Sequence, residues 1–547
     1  MNQNISLTDK KFMTTELGAT KMGNGRWGLG LRLGLGRRIR MEMSNPIRFA
    51  TLGFVFCLLG GLVAPGQAQV TVNRTVSVNQ VVPDRGQYVS ALQIAQGGIA
   101  TITDVNVGLN LSSASGATMR LGQLYSTLTV GTASEGPRTA VLLNREGVNN
   151  LNAFGSNLSS LNVTFDDAAA TNIYNLTGST GTYAADGRIG VNPYGTRVAY
   201  SPGDINAGLS VLNGDWRNTW SLLVADTQGG NQAQLNSWSL SITGTAASSG
   251  TMDIGLGGSV TASGSGTQTV GATVLGNGTG GNAGLLSASS GQTLNLTGGL
   301  SGNGQFNKTG SGTVRIGDSS GFTGTLNVQA GKAVVDGTMN SASKVVVGSG
   351  GAVGGTGTLG ALEVAARGMI GPGNSPGQLN VTGNATWAGG GSYEWEINNF
   401  LGSAGTNWDF LNIGGGLNIT ATSGSKFLID VVSLLANNTA GEAQNFSSIW
   451  DYSMAIATAA GGVSGFSADA FQLDVSGFAN SRDYAPWMSH GNYASGSFNV
   501  SLSGDSKTIY LNYARAIPEP GSASLLVVGL AALWAKRRRV QAASLAG

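Results

Sequence analysis

The sequence contains very little cysteine, histidine or charge. Its 547 residues include one cysteine, Cys57, and one histidine, His490. Cys57 lies in an apolar run that we expect to be removed, so the mature protein would have no disulfide and no cysteine metal site. A single histidine excludes a two-histidine metal site. Because it lies in a polar stretch, we interpret His490 as a surface residue.

The low charge also limits the classes of partner. Only 11% of residues are charged and the net charge is +2, so there is no general case for a nucleic-acid partner. With 88 glycines, 11 prolines and many Val, Leu, Thr and Asn residues, the composition indicates an extended β protein and not a disordered one.

The glycine-rich stretch 250–397 dominates the chain. Short alternating apolar and polar runs recur at 294–296, 313–316, 326–328, 362–364 and 379–381, separated by Gly, Ser and Asn. Alternation with a period of two predicts half-buried strands, and glycine supplies the turns between them. Strands this short cannot bury a face alone, so we expect them to stack as the rungs of a β-solenoid.

This stretch resembles the autotransporter-associated β-strand repeat. The resemblance rests on NKTGSGTVRIG, which begins at Asn307, on GFTGTLNVQAGKAVVDG, and on GPGNSPG, which begins at Gly371. It covers roughly a quarter of the chain. It implies a surface-displayed, right-handed parallel β-helix and no particular reaction.

Residues 70–244 form a second β-rich region. Residues 102–111 alternate as a sandwich strand does. Two further runs carry Trp220 and Trp238 and flank a Gly-Gly-Asn turn, which predicts a closing hairpin.

The runs WSLLVAD and LNSWSL, together with GQLYSTL, resemble the P domain of proprotein convertases. The resemblance implies a jelly-roll β-sandwich. The family usually has Asp where this chain has Gln123 and Asn231. The loop aspartates of this region could bind calcium as oxygen ligands, or they could form turns. The aspartates are Asp166, Asp167, Asp186, Asp204, Asp215 and Asp226.

The N-terminal residues predict export. Residues 1–40 are basic and show no pattern typical of a packed element, whereas 49–63 are apolar and have the length of a signal-peptide core. Small residues at Gly66 and Ala68 predict cleavage between Ala68 and Gln69. Translation from Met41 or Met43 instead of Met1 would give this signal an ordinary length.

The C-terminal residues resemble a PEP-CTERM sorting signal. Pro518, Glu519 and Pro520 precede an apolar segment, 522–535, and a basic cluster of Lys536, Arg537, Arg538 and Arg539. The resemblance implies transient insertion in the inner membrane, recognition by an exosortase-like enzyme, and removal of the tail. The alternative is a plain C-terminal anchor.

A search for catalytic groups yields little. Glu394 and Glu396 lie two apart on a predicted strand and so share a face, as a glycosidase pair would, but we interpret them as part of a solvated strand face. The glycine runs lack the Gly-Lys-Ser/Thr ending of a phosphate loop. Trp216, Trp220, Trp238, Trp387 and Trp395 are candidates for sugar stacking, and core packing is the more common role of such residues.

The sequence therefore predicts an all-β fold: a jelly-roll-like sandwich, then a right-handed parallel β-helix, with short hydrophobic targeting helices at both ends. The predicted divisions are an N-terminal extension with signal peptide (1–68), the sandwich (70–245), the repeat region (246–400), its β-rich end region (401–515) and the sorting signal (516–547).

The predicted function is that of a non-enzymatic structural or adhesive protein, with no catalytic residues and no cofactor apart from the calcium alternative. It would be delivered to the cell surface or extracellular matrix by the secretion machinery, signal peptidase and an exosortase-like enzyme. Its expected ligand is an extracellular polysaccharide, and no nucleic acid is expected. The alternatives are a β-helical polysaccharide-degrading enzyme and a secreted protease accessory.

Overall fold

The computed structural model describes most of the chain from residue 67 to 515. The described residues are 16–22, 26–32, 38–42, 67–94, 99–131, 136–148, 152, 154–188, 207–213, 219–262, 265–348, 350–481, 496–515 and 530–537. The chain divides into two compact units, Met1–Ala64 and Pro65–Gly547. Nearly all of the regular structure is β, which confirms the all-β prediction.

The first unit contains a three-stranded antiparallel sheet of β1 (Glu16–Met22), β2 (Arg26–Arg32) and β3 (Arg38–Glu42). No packed element was expected in residues 1–40, so the sheet corrects that interpretation. In β2, apolar residues alternate with glycine. This period-two pattern indicates a strand, although basic residues dominate the composition of this part of the chain. The predicted apolar targeting segment, 49–63, lies outside the described residues.

The second unit begins with a region of two sheets, which we call the two-sheet region (69–246). One sheet has the order β12-β11-β6-β14-β4 and the other β5-β13-β8-β9, while β7 pairs with β10. The strands are β4 (Gln69–Val81), β5 (Gln87–Gln93), β6 (Ile99–Ser113), β7 (Met119–Arg120), β8 (Leu124–Val130), β9 (Arg138–Asn144), β10 (Asn157–Leu158), β11 (Ser160–Phe165), β12 (Thr180–Tyr183), β13 (Thr219–Asp226) and β14 (Ala233–Ala246).

The predicted hairpin in this region is wrong. The strand of Trp220, β13, pairs with β5 and β8, whereas the strand of Trp238, β14, pairs with β4 and β6. Both indoles are buried, because each strand turns its apolar residues toward the shared core. Alternation identifies a strand and its buried face but not the sheet that the strand joins.

The remaining strands stack in parallel, as the solenoid prediction requires. Two long stacks have the orders β16-β19-β22-β24-β26-β29-β32-β35-β38 and β17-β20-β23-β25-β27-β30-β33-β36-β39, and shorter stacks join β15-β18-β21 and β28-β31-β34-β37. The chain closes with the antiparallel set β37-β41-β40. We call residues 251–474 the solenoid-like region.

Its strands and those that close it are β15 (Thr251–Asp253), β16 (Ser259–Thr261), β17 (Thr267–Val270), β18 (Thr273–Leu275), β19 (Gly284–Ser287), β20 (Thr293–Leu296), β21 (Leu300–Ser301), β22 (Gln305–Thr309), β23 (Thr313–Ile316), β24 (Thr325–Val328), β25 (Gly331–Val335), β26 (Lys344–Val347), β27 (Gly351–Gly355), β28 (Thr358–Leu359), β29 (Ala361–Val364), β30 (Met369–Pro372), β31 (Gln378–Val381), β32 (Ala385–Trp387), β33 (Ser392–Ile397), β34 (Phe410–Ile413), β35 (Leu417–Ile419), β36 (Phe427–Ser433), β37 (Tyr452–Ala459), β38 (Val463–Ser464), β39 (Phe471–Asp474), β40 (Ser497–Leu502) and β41 (Thr508–Ala514). Short 3-10 helices occupy Leu121–Gln123, Ile173–Asn175, Leu209–Leu212, Gly280–Asn282, Ala468–Ala470 and Ala479–Ser481.

Strand β4 joins the two regions. It pairs antiparallel with β14 along one edge and with β16 along the other, where Thr71, Val70 and Gln69 align with Ser259, Val260 and Thr261. The larger sheet of the two-sheet region therefore continues without a break into the solenoid-like region as one 14-stranded sheet.

Lys308 lies inside the solenoid-like region, where the strand pattern calls for an apolar residue. It aligns with Leu286 in β19 and Val328 in β24, and it is fully buried. Its Nζ, which carries three hydrogens, lies within hydrogen-bond distance of four backbone carbonyl oxygens: those of Thr309 at 3.1 Å, Gly310 at 2.6 Å, Gly312 at 2.7 Å and Ala330 at 2.7 Å. Burial lowers the pKa of Lys308 to about 8, so the ammonium is still protonated at pH 7.

Near the C-terminus, residues 530–537 form a helix. Within the described parts of the chain, no helix combines the length and apolar character needed to cross a membrane. The predicted targeting helix begins at residue 522, so only its second half falls on described residues.

Candidate functional site

The outward face of the solenoid-like region carries rows of polar side chains. Asn307 and Asn327 are neighbours on successive rungs, and the Asn327 Nδ2 donates to the Asn307 Oδ1 at 3.1 Å. Asn412 and Asn380 repeat this contact, also at 3.1 Å, on another stack. Rungs in a parallel stack recur every ~4.8 Å. The face therefore presents amide and hydroxyl groups at a regular spacing.

Charged side chains on this face pair with each other between rungs. Lys344 contacts Glu363 at 2.7 Å, and Arg315 pairs with Asp336. All four side chains are substantially exposed, so each pair adds little stability. Its main effect is to keep the outward face close to neutral.

Glu394 and Glu396 lie on β33 and share a face, as predicted, but both are half-buried and not fully solvated. Glu394 aligns with Asp430 in β36, which aligns with Asp474 in β39. Burial, and next the charge of Glu396, raise the pKa of Glu394, and Lys332 opposes the shift. Burial raises the pKa of Asp430, with further contributions from Asp474 and Glu394. Burial first and mutual repulsion second therefore favour the protonated forms of Glu394 and Asp430, whereas hydrogen bonds from Ser476 lower the pKa of Asp474.

Asp409 is a buried carboxylate that sequence analysis did not single out. Its Oδ1 accepts the Gly377 amide at 2.7 Å, and its Oδ2 accepts the Glu396 amide at 3.2 Å. The Trp395 indole donates to the Asp409 carbonyl oxygen at 2.9 Å. Burial raises the pKa of Asp409 well above its usual range. The residue fastens the end of the GPGNSPG segment to β33, a structural role with no local sequence signal.

The predicted calcium aspartates have other partners. Asp186 is fully buried, and its two oxygens accept the Arg188 Nε and Nη2, each at 2.6 Å. Asp167 accepts the backbone amides of Leu209 at 3.1 Å and Ser210 at 2.6 Å. Asp186 therefore holds an ion pair, and Asp167 holds the start of the 3-10 helix Leu209–Leu212, while calcium binding stays a prediction.

Two of the other four aspartates lie among the described residues, and both accept a nearby backbone amide. Asp166 accepts the Ala168 amide at 2.8 Å, and Asp226 accepts the Gln228 amide at 3.0 Å through Oδ1. Asp204 and Asp215 lie outside the described residues. Among the residues that the structure does describe, no three His, Cys, Asp or Glu side chains are placed to hold a metal ion.

Glu146 is the second acidic residue that sequence analysis missed. It is fully buried beside Asp186 and Arg188, and burial followed by the Asp186 charge raises its pKa well above the usual range. The Arg188 guanidinium also lies over the Tyr174 ring, 4.7 Å from its centre. A protonated Glu146 beside the Asp186–Arg188 pair leaves this buried group with no net charge.

The predicted processing residues are only partly described. Gln69 is the first residue of β4, and Ala68 before it is fully buried, its carbonyl oxygen accepting the Ala246 amide at 2.8 Å. Cleavage between them would therefore have to precede the pairing of β4. Lys536 and Arg537 end the helix 530–537. The other predicted sorting residues, Pro518, Glu519, Pro520, Arg538 and Arg539, lie outside the described residues.

Four of the tryptophans considered for sugar stacking are in the core. Trp220, Trp238, Trp387 and Trp395 are fully buried or nearly so, and Trp216 is not among the described residues. A further tryptophan, Trp450, lies in the predicted end region 401–515 and has 63% of its surface exposed. The residues around Trp450 do not predict its exposure, because the exposure of a side chain depends on the surrounding fold.

No protein-family model matches the chain. Over 142 residues the chain is 32% identical to a protein of Serratia marcescens named extracellular serine protease. The match covers 25% of this chain and 13% of that protein, so this chain spans only a small part of that relative.

Proposed function

We propose that this chain is an exported structural or adhesive protein of the cell surface or extracellular matrix, and that it contacts polysaccharide. In this proposal residues 70–245 are a P-domain-like jelly roll, 246–400 an autotransporter-type right-handed β-helix, and 516–547 a PEP-CTERM sorting signal. The partial similarity to a protein named as extracellular supports the location. The start of β4 at Gln69 agrees with the proposed cleavage point.

The in-register polar face is the observation that supports polysaccharide as the ligand. Amides such as Asn307–Asn327 and Asn380–Asn412 stand on successive rungs and offer both donors and acceptors. A polysaccharide presents hydroxyl groups at short repeats, so many weak contacts form together along one chain. Linked weak contacts give strong retention without a single tight site.

Two observations support the alternative functions. The aligned carboxylates Glu394 and Asp430, with raised pKa values, are the kind of pair a polysaccharide-degrading enzyme uses. The similarity to a serine protease supports an accessory role beside a protease.

One experiment separates binding from cleavage. The full-length protein is mixed with the insoluble exopolysaccharide of its own cells, and sedimented protein and newly formed reducing ends are measured. We expect co-sedimentation with no increase in reducing ends. Release of reducing ends by the wild type, and its loss in Glu394→Gln, would contradict the proposal in favour of the enzyme.

A further inference from the structure

The antiparallel strands β37 and β41, at the end of the solenoid-like region, border an open cavity. Its volume is about 480 Å³, and its lining is formed by Asp451, Tyr452, Ser453, Asn512, Tyr513, Ala514 and Arg515. The first three come from the start of β37 and the rest from the end of β41, which pair so that Tyr452 faces Tyr513 and Ser453 faces Asn512. Successive side chains of a strand point to opposite faces, so Ser453 and Asn512 share one face and Tyr452 and Tyr513 the other. The open concavity lies at the ends of the two strands, where polar and aromatic residues of both strands border it.

The segment before this cavity exposes an unusual amount of apolar surface. Ile449 is 67% and Trp450 63% exposed, and Trp450 directly precedes the lining residue Asp451. The other large aromatic residues of this end pack together: Phe446 stacks on Tyr452 with ring centres 5.7 Å apart and meets Tyr513 edge to face at 5.0 Å. Trp450 is thus left at the surface while its aromatic neighbours fill a core.

The loop that presents Trp450 is held in place by hydrogen bonds. The Tyr452 hydroxyl accepts the Ser447 amide at 2.8 Å and donates to the Asn445 carbonyl oxygen at 3.2 Å. The Trp450 amide donates to the Ser447 carbonyl oxygen at 3.1 Å. A fixed loop loses little conformational freedom when it binds a ligand.

The polar groups beside it form a mixed donor and acceptor set. The Arg515 Nε lies 3.8 Å from the Asp451 Oδ2, and the Arg515 Nη1 donates to the Ile449 carbonyl oxygen at 3.4 Å. The Asp451 Oδ1 accepts the Arg515 backbone amide at 2.8 Å. Both charged side chains are more than half exposed, so the Asp451 Oδ2 and the guanidinium remain accessible to a ligand. Ser453 donates to the Asn512 Oδ1 at 2.8 Å. A carboxylate that accepts, beside a guanidinium that donates, matches two adjacent hydroxyl groups of a sugar.

We propose that this cavity, together with the exposed Trp450 that precedes its lining residue Asp451, binds a neutral hexose unit of a polysaccharide. The apolar C–H face of the ring lies on the Trp450 indole, and Asp451 and Arg515 contact vicinal hydroxyls. A neutral sugar is favoured because the opposite charges of Asp451 and Arg515 leave the site with no net charge. The inference rests on the proposed polysaccharide function and adds to it a defined site at one end of the chain.

The test is titration calorimetry of the full-length protein with neutral gluco-, galacto- and manno-configured tetrasaccharides. We expect one of them to bind. Trp450→Ala should weaken binding by about tenfold or more, and Trp450→Phe, which keeps a ring, should retain most of it. Asp451→Asn should also weaken binding. Leu401→Ala removes another exposed apolar side chain, 74% exposed, and should leave binding unchanged.

Wild-type affinity in both Trp450→Ala and Asp451→Asn would overturn the site. So would the absence of binding by every tetrasaccharide, or self-association of the protein that disappears in Trp450→Ala. Failure of this inference is distinguishable from failure of the proposed function. If Trp450→Ala still co-sediments fully with exopolysaccharide, the polar face remains supported and the cavity does not.

Discussion

Replacing Lys308 by methionine tests how the repeat motif holds successive rungs together. The Lys308 ammonium contacts the carbonyl oxygens of Thr309, at the end of its own strand, and of Gly310 and Gly312 in the turn that follows. It also contacts the carbonyl oxygen of Ala330 in the turn of the next rung. The side chain therefore connects two successive turns from inside the stack. Methionine has a similar length and keeps the apolar contacts, but it has no donor.

The magnitude follows from two opposing effects. A fully buried carbonyl oxygen that loses its donor costs about 1 to 3 kcal/mol, and of the four oxygens near Lys308 those of Thr309, Gly310 and Ala330 are only partly buried. Removing an ammonium that is shielded from water returns several kcal/mol. Since the Gly312 oxygen keeps the Lys332 backbone amide at 3.2 Å, it is not left without a partner. We expect a net decrease of about 3 kcal/mol in the free energy of unfolding.

Urea unfolding followed by far-ultraviolet circular dichroism measures this change. Lys332→Met is the matched control, because Lys332 is exposed on the outward face of the next rung and its replacement should change the free energy by less than about 0.5 kcal/mol. Hydrogen exchange should also show lost protection at 309–313 and 330–332 in Lys308→Met. A Lys308→Met variant as stable as wild type would show that Lys308 does not hold the two turns together.

Three further predictions concern buried or crowded positions. Arg188→Met leaves Asp186 buried without its cation and should lower the free energy of unfolding by about 3 to 5 kcal/mol in urea unfolding; an unchanged midpoint would contradict the ion pair. Burial raises the pKa of Asp226 from 3.8 to about 6, so the folded chain retains a proton that the unfolded chain has lost. The free energy of unfolding should therefore fall as the pH rises from about 4 to about 6, and Asp226→Asn should remove that part of the slope in a pH series. Gly331→Ala places a Cβ 2.4 and 2.5 Å from two carbonyl oxygens at a φ of 63°, whereas Gly350→Ala at a φ of 90° meets open space. Gly331→Ala should cost about 1 to 3 kcal/mol more than this control in thermal unfolding, and equal costs would contradict the crowding.

The strands of the solenoid-like region follow directly from the alternating pattern. The predicted runs 313–316 and 326–328 correspond to β23 and β24, and their apolar residues face inward. A period of two is a local property, so it can be recognised without knowing the partner strand. The stacking follows as well, because strands of four residues need neighbours to bury a face.

What could not be predicted depends on partners distant in the chain. The pairing of Trp220 and Trp238 with different sheets is decided by β5, β8, β4 and β6, not by the turn between them. Lys308 resembles a surface lysine until the turn that begins at Ala330 encloses it. Asp186 resembles a loop calcium ligand, although it lies only two residues from the Arg188 that occupies it.

We propose that the chain is exported, processed at both ends and displayed outside the cell. The most direct test is the intact mass of the protein recovered from its own cells, together with its digestion by protease added to intact cells. We expect a chain that starts at Gln69, lacks the tail that follows Pro518, and is degraded on intact cells. A protected chain that retains residues 49–63 and the tail through Arg539 would contradict it.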